Sequence, residues 1–167
     1  MVENARRQLD ALEILMQDHR EVESLLKDFD YLHSNRKDTG LVISTVCAEL
    51  KIHDTLETAI FYAVVDEATD DEAIQDLLDE AEDEHDEILE SVEEIEQMRT
   101  DPQLRNERFA VLAERVKQHL LREEAELFPL VRELKQLDLE SIADAMKKRK
   151  AELIGETGST EARTETV

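Results

Sequence analysis

The chain has 167 residues, of which 43 are acidic and 20 basic, so its formal net charge is -23. This length fits one compact domain and is too short for two ordinary ones. So large a negative charge repels a phosphate backbone, which argues against nucleic acid as a partner. Three Gly, two Pro and 4% aromatic residues are too few for a turn-rich β-fold, whereas 41% hydrophobic with 38% charged residues is typical of amphipathic helices. The composition predicts an all-α protein.

The sequence contains no sign of a targeting or membrane segment. The N-terminus lacks the apolar core of a signal peptide, and no stretch approaches the ~18 uninterrupted apolar residues of a membrane-spanning helix. The single cysteine, Cys47, excludes an internal disulfide and is expected to be a small buried hydrophobe. We therefore expect a cytoplasmic protein that has no membrane partner.

Apolar residues recur at three- and four-residue spacing in four long blocks, which predicts four amphipathic helices. The blocks run from Leu9 to Phe29, from Val42 to Val64, from Ile74 to Ile95 and from Phe109 to Leu134. Four helices joined by short connections close most simply as an up-down-up-down four-helix bundle, which we expect over residues 1–137.

Turn-forming residues separate the four blocks at positions 38–40, 66–71 and 100–102. Pro129 lies inside the fourth block, where its ring and its missing N–H predict a kink or a local break near the end of that helix.

A fifth, weaker helical segment covers residues 138–154 and is expected to pack on or beside the bundle. It carries a basic run, KKRK at 147–150, which we interpret as part of a solvated face. Residues 155–167 are polar and have little to bury, so we expect a disordered tail.

Four of the five histidines form a repeat. His19 and His53 are 34 residues apart, as are His85 and His119, so the chain superimposes on itself with a shift of 66 residues. Each half is a helical hairpin that offers one His from its first helix and a His-x-x-x-Glu pair from its second. We interpret this pattern as an internal duplication.

Each His-x-x-x-Glu pair places both side chains on one helix face, where they can bind one ion. In so acidic a chain this spacing alone is a weak indication. Placement adds to it, because the repeated residues fall on the apolar stripes, and a buried ionised Glu must be paired, protonated or metal-bound. The predicted metal ligands are His19, His53, Glu57, His85, His119 and Glu123.

Imidazole and carboxylate donors without thiolate suit iron, manganese or zinc. Six ligands exceed what one tetrahedral zinc uses, whereas two six-coordinate metals bridged by carboxylates would use them all. Two non-haem iron ions fit best, with Glu57, Glu123 and an oxo or hydroxo group as bridges and roughly one or two positions open for a small ligand. The alternative is a metal-free bundle whose core histidines are satisfied by protein partners.

Two other residues bear on this hypothesis. His33 has no counterpart under the shift and lies near the end of the first helix, so we expect it to be exposed and not a ligand. Tyr62 follows the first His-Glu pair as Phe128 follows the second. Core packing and a redox role beside the ligands both stay open for Tyr62.

These residues resemble a known family. The order His, His-x-x-x-Glu, His, His-x-x-x-Glu, with DHRE at 18–21 and HLLREEAELFP at 119–129, looks like the hemerythrin-like, HHE cation-binding family of bacterial type. The resemblance covers roughly residues 9–134. It implies a four-helix bundle with a di-iron centre on the same six ligands, which binds dioxygen, senses oxygen or iron, or reacts with peroxide or nitric oxide.

The sequence departs from the oxygen-carrying hemerythrins of invertebrates, which place a second His four residues after the third-helix His and end in His-x-x-x-x-Asp. This chain has Leu89 where that second His would stand, and its last pair is His119 with Glu123 four residues later. It is closer to the bacterial HHE proteins and to the hemerythrin domain of the iron-sensing F-box protein. One ligand fewer favours reaction with peroxide or oxygen over oxygen carriage, unless Glu23 or Glu82 fills the vacancy.

Three functions stay open. The first is binding or sensing of dioxygen, peroxide or nitric oxide, and the second is a catalase- or peroxidase-like activity without a separate catalytic residue. The third, ferritin-like iron handling, requires Glu-x-x-His on two helices, and this chain has it once, at Glu82 and His85. Those small molecules are the expected partners, and a protein partner or a homodimer stays open.

Overall fold

The computed structural model describes the backbone of residues 8–164 and the side chains of residues 8–156. All regular structure in that range is helical, which confirms the all-α prediction. None of these helices is apolar over enough residues to cross a membrane. The helices are α1 (Ala11–Ser34), α2 (Gly40–Leu56), α3 (Ala63–Ala68), α4 (Glu72–Gln97), α5 (Pro102–Arg122), α6 (Phe128–Glu133) and α7 (Leu139–Thr164).

Two π-helical segments join short helices into longer rods. Glu57–Tyr62 continues α2 into α3, and Glu123–Leu127 continues α5 into α6. The rods that contain α2 and α5 form a four-helix bundle with α1 and α4, since α1 packs on α2 and α5, and α4 packs on the same two. This is the bundle that the four apolar blocks predict.

Aspartates cap the first turns of α1, α4 and α5, and two of them lie at predicted turns. Asp10 caps α1 through a reciprocal pair of hydrogen bonds with Glu13, a capping box. The side chains of Asp71 and Asp101 accept hydrogen bonds from the first turns of α4 and α5. Pro102 begins α5, where its missing N–H has no helical partner to lose.

Buried apolar side chains form two clusters with a polar layer between them. On α1, Leu15 belongs to the first cluster and Val22 to the second, and on α4 the same holds for Ala81 and Ile88. A repeated histidine lies between the two residues of each pair. Burying a Leu or Ile side chain contributes about 1.5–3 kcal/mol, so both clusters hold the helices together around the layer.

Both π-helical segments begin at a predicted ligand, Glu57 in the first half and Glu123 in the second. The second segment ends two residues before Pro129, so a local break in the α-helix lies where the sequence predicts one. Proline is not its general cause, because Ala63 stands at the matching place of the first half. Single π-helical turns occur frequently at functional sites.

Helix α7 packs against α1 and α2 and buries Ile142, Ala143 and Met146 in the first apolar cluster. Its helical backbone continues to Thr164, whereas the sequence analysis expected a disordered tail from residue 155. Once a helix has begun, each further residue adds a hydrogen bond, and no proline interrupts this one. Residues 165–167 of the expected tail lie outside the described residues.

Candidate metal centre

The six predicted ligand residues lie together in the polar layer between the two apolar clusters. Each is at most 5% exposed. One histidine comes from each of the four long helices, and the two glutamates come from the first positions of the π-helical segments. The duplication therefore brings both halves of the chain to one site.

Four of these residues form a first donor group. His19 Nε2 lies 3.4 Å from Glu123 Oε2 and 3.9 Å from Glu57 Oε1, and His53 Nε2 lies 3.1 Å from Glu57 Oε2. One ligand atom from each residue lies within 4.8 Å of the others. Since metal–nitrogen and metal–oxygen bonds are about 2.0–2.2 Å long, one ion between them can contact all four after small adjustments.

Glu57, His85 and His119 form a second donor group with the same 4.8 Å limit. His85 Nε2 lies 3.1 Å from Glu57 Oε2 and 2.9 Å from His119 Nε2. His119 Nε2 also lies 3.4 Å from Glu123 Oε2. Glu57 thus belongs to both groups and is placed to bridge them.

Several buried polar atoms in this layer make no hydrogen bond to a described residue. They include His19 Nε2, His53 Nε2, Glu57 Oε1 and Glu123 Oε2. A buried polar group without a partner costs about 1–3 kcal/mol, and more if it is charged. A metal ion would coordinate these atoms, and imidazole with carboxylate is a donor set that transition metals accept. The residues therefore fit a bound metal ion.

The electrostatics of the layer favour a cation. Burial lowers the pKa of His19, but Glu123 and Glu57 outweigh burial and raise this pKa to about 10. Burial likewise lowers the pKa of His53, which Glu57 and other groups raise to about 9. Burial raises the pKa of Glu57, yet the histidines hold it well below the usual 4.5. The attraction that overcomes burial here acts equally on a metal cation.

A second ring of carboxylates faces the outer nitrogens of the histidines. Such carboxylates fix the orientation of a ligating imidazole and leave its other nitrogen free for the metal. Three of the four are within hydrogen-bond distance, and the fourth is farther away. The Nδ1-to-oxygen distances are 2.8 Å for His19 and Glu124, 2.9 Å for His85 and Asp54, 2.8 Å for His119 and Glu84, and 4.0 Å for His53 and Asp18.

The sequence analysis did not single out these four carboxylates. Two of them did leave a signal, because Asp18 and Glu84 match under the shift of 66 residues and each directly precedes a predicted ligand. The other two, Asp54 and Glu124, have no acidic counterpart. Their contacts join helices that are distant in sequence, which residue spacing does not encode.

Comparison with known families decides what this domain is. The family model of the hemerythrin HHE cation binding domain matches residues 10–131, most of the chain. The chain belongs to this family. No curated protein and no solved structure matches it significantly. The matched range ends before α7 begins, so α7 lies outside the part of the chain that the family model covers.

Tyr62 of this hemerythrin domain packs in the core and also contacts two predicted ligands. It is 1% exposed. Its hydroxyl donates a hydrogen bond to Glu123 and lies 3.4 Å from Glu57 Oε2. Burial and these two carboxylates raise the pKa of Tyr62 well above its usual 10, so the hydroxyl keeps its proton.

The other residues that the sequence analysis considered lie away from the donor groups. His33 and Glu82 are exposed, and Glu23 lies 3.4 Å from the guanidinium of Arg20. Neither glutamate belongs to a donor group among the described residues. Cys47 is fully buried in the second apolar cluster, and burial is the main cause that raises its thiol pKa to about 11.

A small, mostly apolar pocket lies beside the second donor group of the hemerythrin domain. It is lined by His85 and His119 of that group, by His53 and Asp54, and by apolar side chains that include Leu50, Leu89 and Val116. Leu89 stands at the place where the oxygen-carrying hemerythrins have an additional histidine. The donor group on this side has three members instead of four.

Proposed function

We propose that this hemerythrin domain holds two non-haem iron ions in its polar layer and that it reacts with or senses dioxygen, peroxide or nitric oxide there. The ligands would be His19, His53, Glu57, His85, His119 and Glu123. The observation that supports the proposal best is the position of Glu57 in both donor groups. A shared carboxylate suits a pair of ions, as in other di-iron helical bundles, and is not needed for a single ion.

Bound iron would supply the redox and ligand-binding chemistry. The protein's own residues have other tasks. The two apolar clusters exclude water on either side of the layer, and the outer carboxylates hold the imidazole rings with Nε2 turned inward. Tyr62 keeps a proton directed at the carboxylate of Glu123 and so fixes the orientation of that carboxylate.

The surroundings of the second donor group favour a small uncharged ligand. The pocket beside it encloses only about 10 Å³, which leaves no room for a large molecule. The net charge of -23 repels anions in addition. Dioxygen, hydrogen peroxide and nitric oxide are all small and uncharged.

A peroxide-decomposing, catalase- or peroxidase-like enzyme is the second candidate. The three-member donor group favours it, since an ion with fewer protein ligands keeps a position for a reacting molecule. Ferritin-like iron handling has less support. Glu82, which would form Glu-x-x-His with His85, is exposed and outside both donor groups.

Metal analysis combined with optical spectroscopy tests the proposal. Protein loaded with Fe²⁺ without oxygen should retain about two irons per chain after desalting, as di-iron bundles do. Adding dioxygen, peroxide or nitric oxide should then change its near-ultraviolet absorption. An iron content near zero, or a single zinc that iron does not displace, would contradict a di-iron site.

Oxygen evolution from hydrogen peroxide separates the two candidates. Continued turnover by the iron-loaded protein would support the catalase-like enzyme. Iron-loaded protein that changes its spectrum without turnover would instead support binding or sensing.

A further inference from the structure

Three of the four histidines in the polar layer are backed by a carboxylate that itself contacts a cation. Each arrangement runs from a positive side chain to a carboxylate and then to Nδ1 of an imidazole. The Arg20 and Lys150 contacts measure 2.6 and 2.8 Å. The three sets are Arg20 with Glu124 and His19, Arg122 with Glu84 and His119, and Lys150 with Asp18 and His53.

The cation behind Asp18 comes from outside the four-helix bundle. In the second half of the duplication, Arg122 of α5 contacts Glu84. At the place that matches Arg122, the first half has Leu56, which is buried and uncharged. Lys150 of α7 supplies the positive charge to Asp18, the counterpart of Glu84. Helix α7 thus supplies to the first half the cation that the second half takes from its own helix α5.

The contact between Lys150 and Asp18 is sheltered, unlike an ordinary surface ion pair. Asp18 is 8% exposed and the side chain of Lys150 is 25% exposed, so Lys150 does not belong to the solvated face expected for the basic run. Lys150 lies one helical turn beyond Met146, which is fully buried. Exposed ion pairs are screened by water, whereas a partly buried pair keeps a defined geometry. The packing of α7 therefore fixes where Asp18 is held.

The interaction of His53 with its carboxylate is the longest of the four, and His53 Nδ1 makes no hydrogen bond to a described residue. Asp18 Oδ2 lies 4.0 Å from His53 Nδ1, compared with 2.8–2.9 Å in the three other pairs. The matching residue Glu84 has one methylene more and reaches its histidine. At 4.0 Å the attraction between Asp18 and His53 is electrostatic, and its strength depends on where the carboxylate of Asp18 is held.

We propose that Lys150 is a positioning residue of the metal centre, which holds Asp18 so that His53 presents Nε2 beside Glu57. Through Lys150, helix α7 influences the geometry of the first donor group, to which His53 belongs. The inference rests on the proposed function, because it requires that His53 binds a metal ion.

The proposal is tested by measuring metal affinity in three variants of the protein. Co²⁺ serves as the probe, because its absorption reports ligand geometry. Removing the partner of a ligating histidine weakens metal binding about 10–100-fold. Lys150 is one contact farther out, so Lys150→Met should weaken one Co²⁺ site about 10-fold and change its absorption. Lys150→Arg should restore wild-type behaviour. The matched control is Lys148→Met on the exposed side of α7, which should bind Co²⁺ as wild type does.

Asp18→Asn distinguishes positioning from general stability. On its own it should weaken the same Co²⁺ site, and in its background Lys150→Met should cause no further loss, because both changes break one chain of contacts. Circular dichroism of the metal-free proteins checks that each variant is folded. A Lys150→Met protein that melts earlier but binds Co²⁺ with wild-type affinity would overturn the proposal.

An equal loss of affinity in Lys148→Met would overturn it too, since only the net charge would then matter. These outcomes leave the proposed function intact. A wild-type protein that binds neither Co²⁺ nor Fe²⁺ would refute the proposed function itself, and the positioning role with it.

Discussion

Replacing Tyr62 by Phe removes one hydroxyl from the polar layer and leaves the aromatic ring in place. That hydroxyl donates a hydrogen bond to Glu123 and lies 3.4 Å from Glu57 Oε2. Tyr62 is 1% and Glu123 2% exposed, so water cannot easily replace the lost donor. The ring keeps its contacts, including the one to Phe61. Tyr62→Phe therefore isolates the contribution of a single buried hydrogen bond.

The magnitude follows from the charge and burial of the acceptor. A hydrogen bond to a charged group contributes about 1.5–3 kcal/mol, and the upper part of that range applies when the group left behind is buried. For a chain of this length, 1 kcal/mol shifts the melting temperature by about 2–4 °C. We therefore expect Tyr62→Phe to lower the melting temperature of the metal-free protein by about 5–10 °C.

Thermal unfolding followed by circular dichroism measures this shift, and the chain provides a matched control in its only other tyrosine. Tyr31 is 59% exposed, and its hydroxyl accepts a long, 3.4 Å hydrogen bond from Lys37 Nζ. Tyr31→Phe should change the unfolding free energy by no more than about 0.5 kcal/mol. Equal melting temperatures for the two variants would refute the reasoning, since the Tyr62 hydroxyl would then contribute no more than an exposed one.

Three further predictions concern metal binding, the stability that helix α7 contributes and the dependence of stability on pH. His119→Ala should lower both the retained iron and the melting temperature of the iron-loaded protein, whereas His33→Ala should change neither. Elemental analysis and calorimetry measure these two quantities, and equal effects of the two substitutions would contradict the assignment of ligands. Met146→Ala should cost about 2–5 kcal/mol in urea unfolding because its side chain is fully buried, and a cost below about 1 kcal/mol would show that α7 adds little stability. Asp10→Ala should cost about 1 kcal/mol at neutral pH, because Asp10 caps α1. Burial raises the pKa of Asp10, but hydrogen bonds from Arg132 and the α1 backbone outweigh burial and lower this pKa below 3.8. The stabilisation by Asp10 is therefore fully present above pH 3.8 and is lost as the pH falls through the lowered pKa. Unfolding free energies of both proteins over a pH series test this, and a difference that persists in acid would contradict it.

The bundle could be predicted because side chains three and four residues apart meet on one helix face and must be buried together. The turn before α5 could be predicted as well, but the helix begins at Pro102, within that turn and ahead of the apolar block that starts at Phe109. The extent of α7 could not be predicted. Composition indicates what a segment can bury, whereas the helical backbone as far as Thr164 depends on a helix that has already begun.

The six residues of the polar layer could be predicted because the two halves of the chain are still alike at those positions. Two of the carboxylates behind them, Asp54 and Glu124, could not be found in the same way, because neither has an acidic counterpart in the other half. Glu124 contacts His19 across 105 residues of sequence. The π-helical segments escaped detection because apolar spacing does not resolve one extra residue in a single turn. Lys150 was hidden in a run of four basic residues, and the burial of Met146 one turn earlier together with the contact to Asp18 shows that Lys150 faces inward.

One difference between the two halves lies directly beside the predicted ligands. Phe128 stacks on His19 with ring centroids 5.7 Å apart, and at the matching place Tyr62 lies against His85 at 5.6 Å. The rings are equivalent, but only Tyr62 has a hydroxyl. His85 belongs to the donor group with three members, next to the apolar pocket. On the proposed two-ion function, the duplication provides two similar metal positions. The unmatched Tyr62 hydroxyl then places a proton donor at Glu123 and beside Glu57, the carboxylate that both donor groups share.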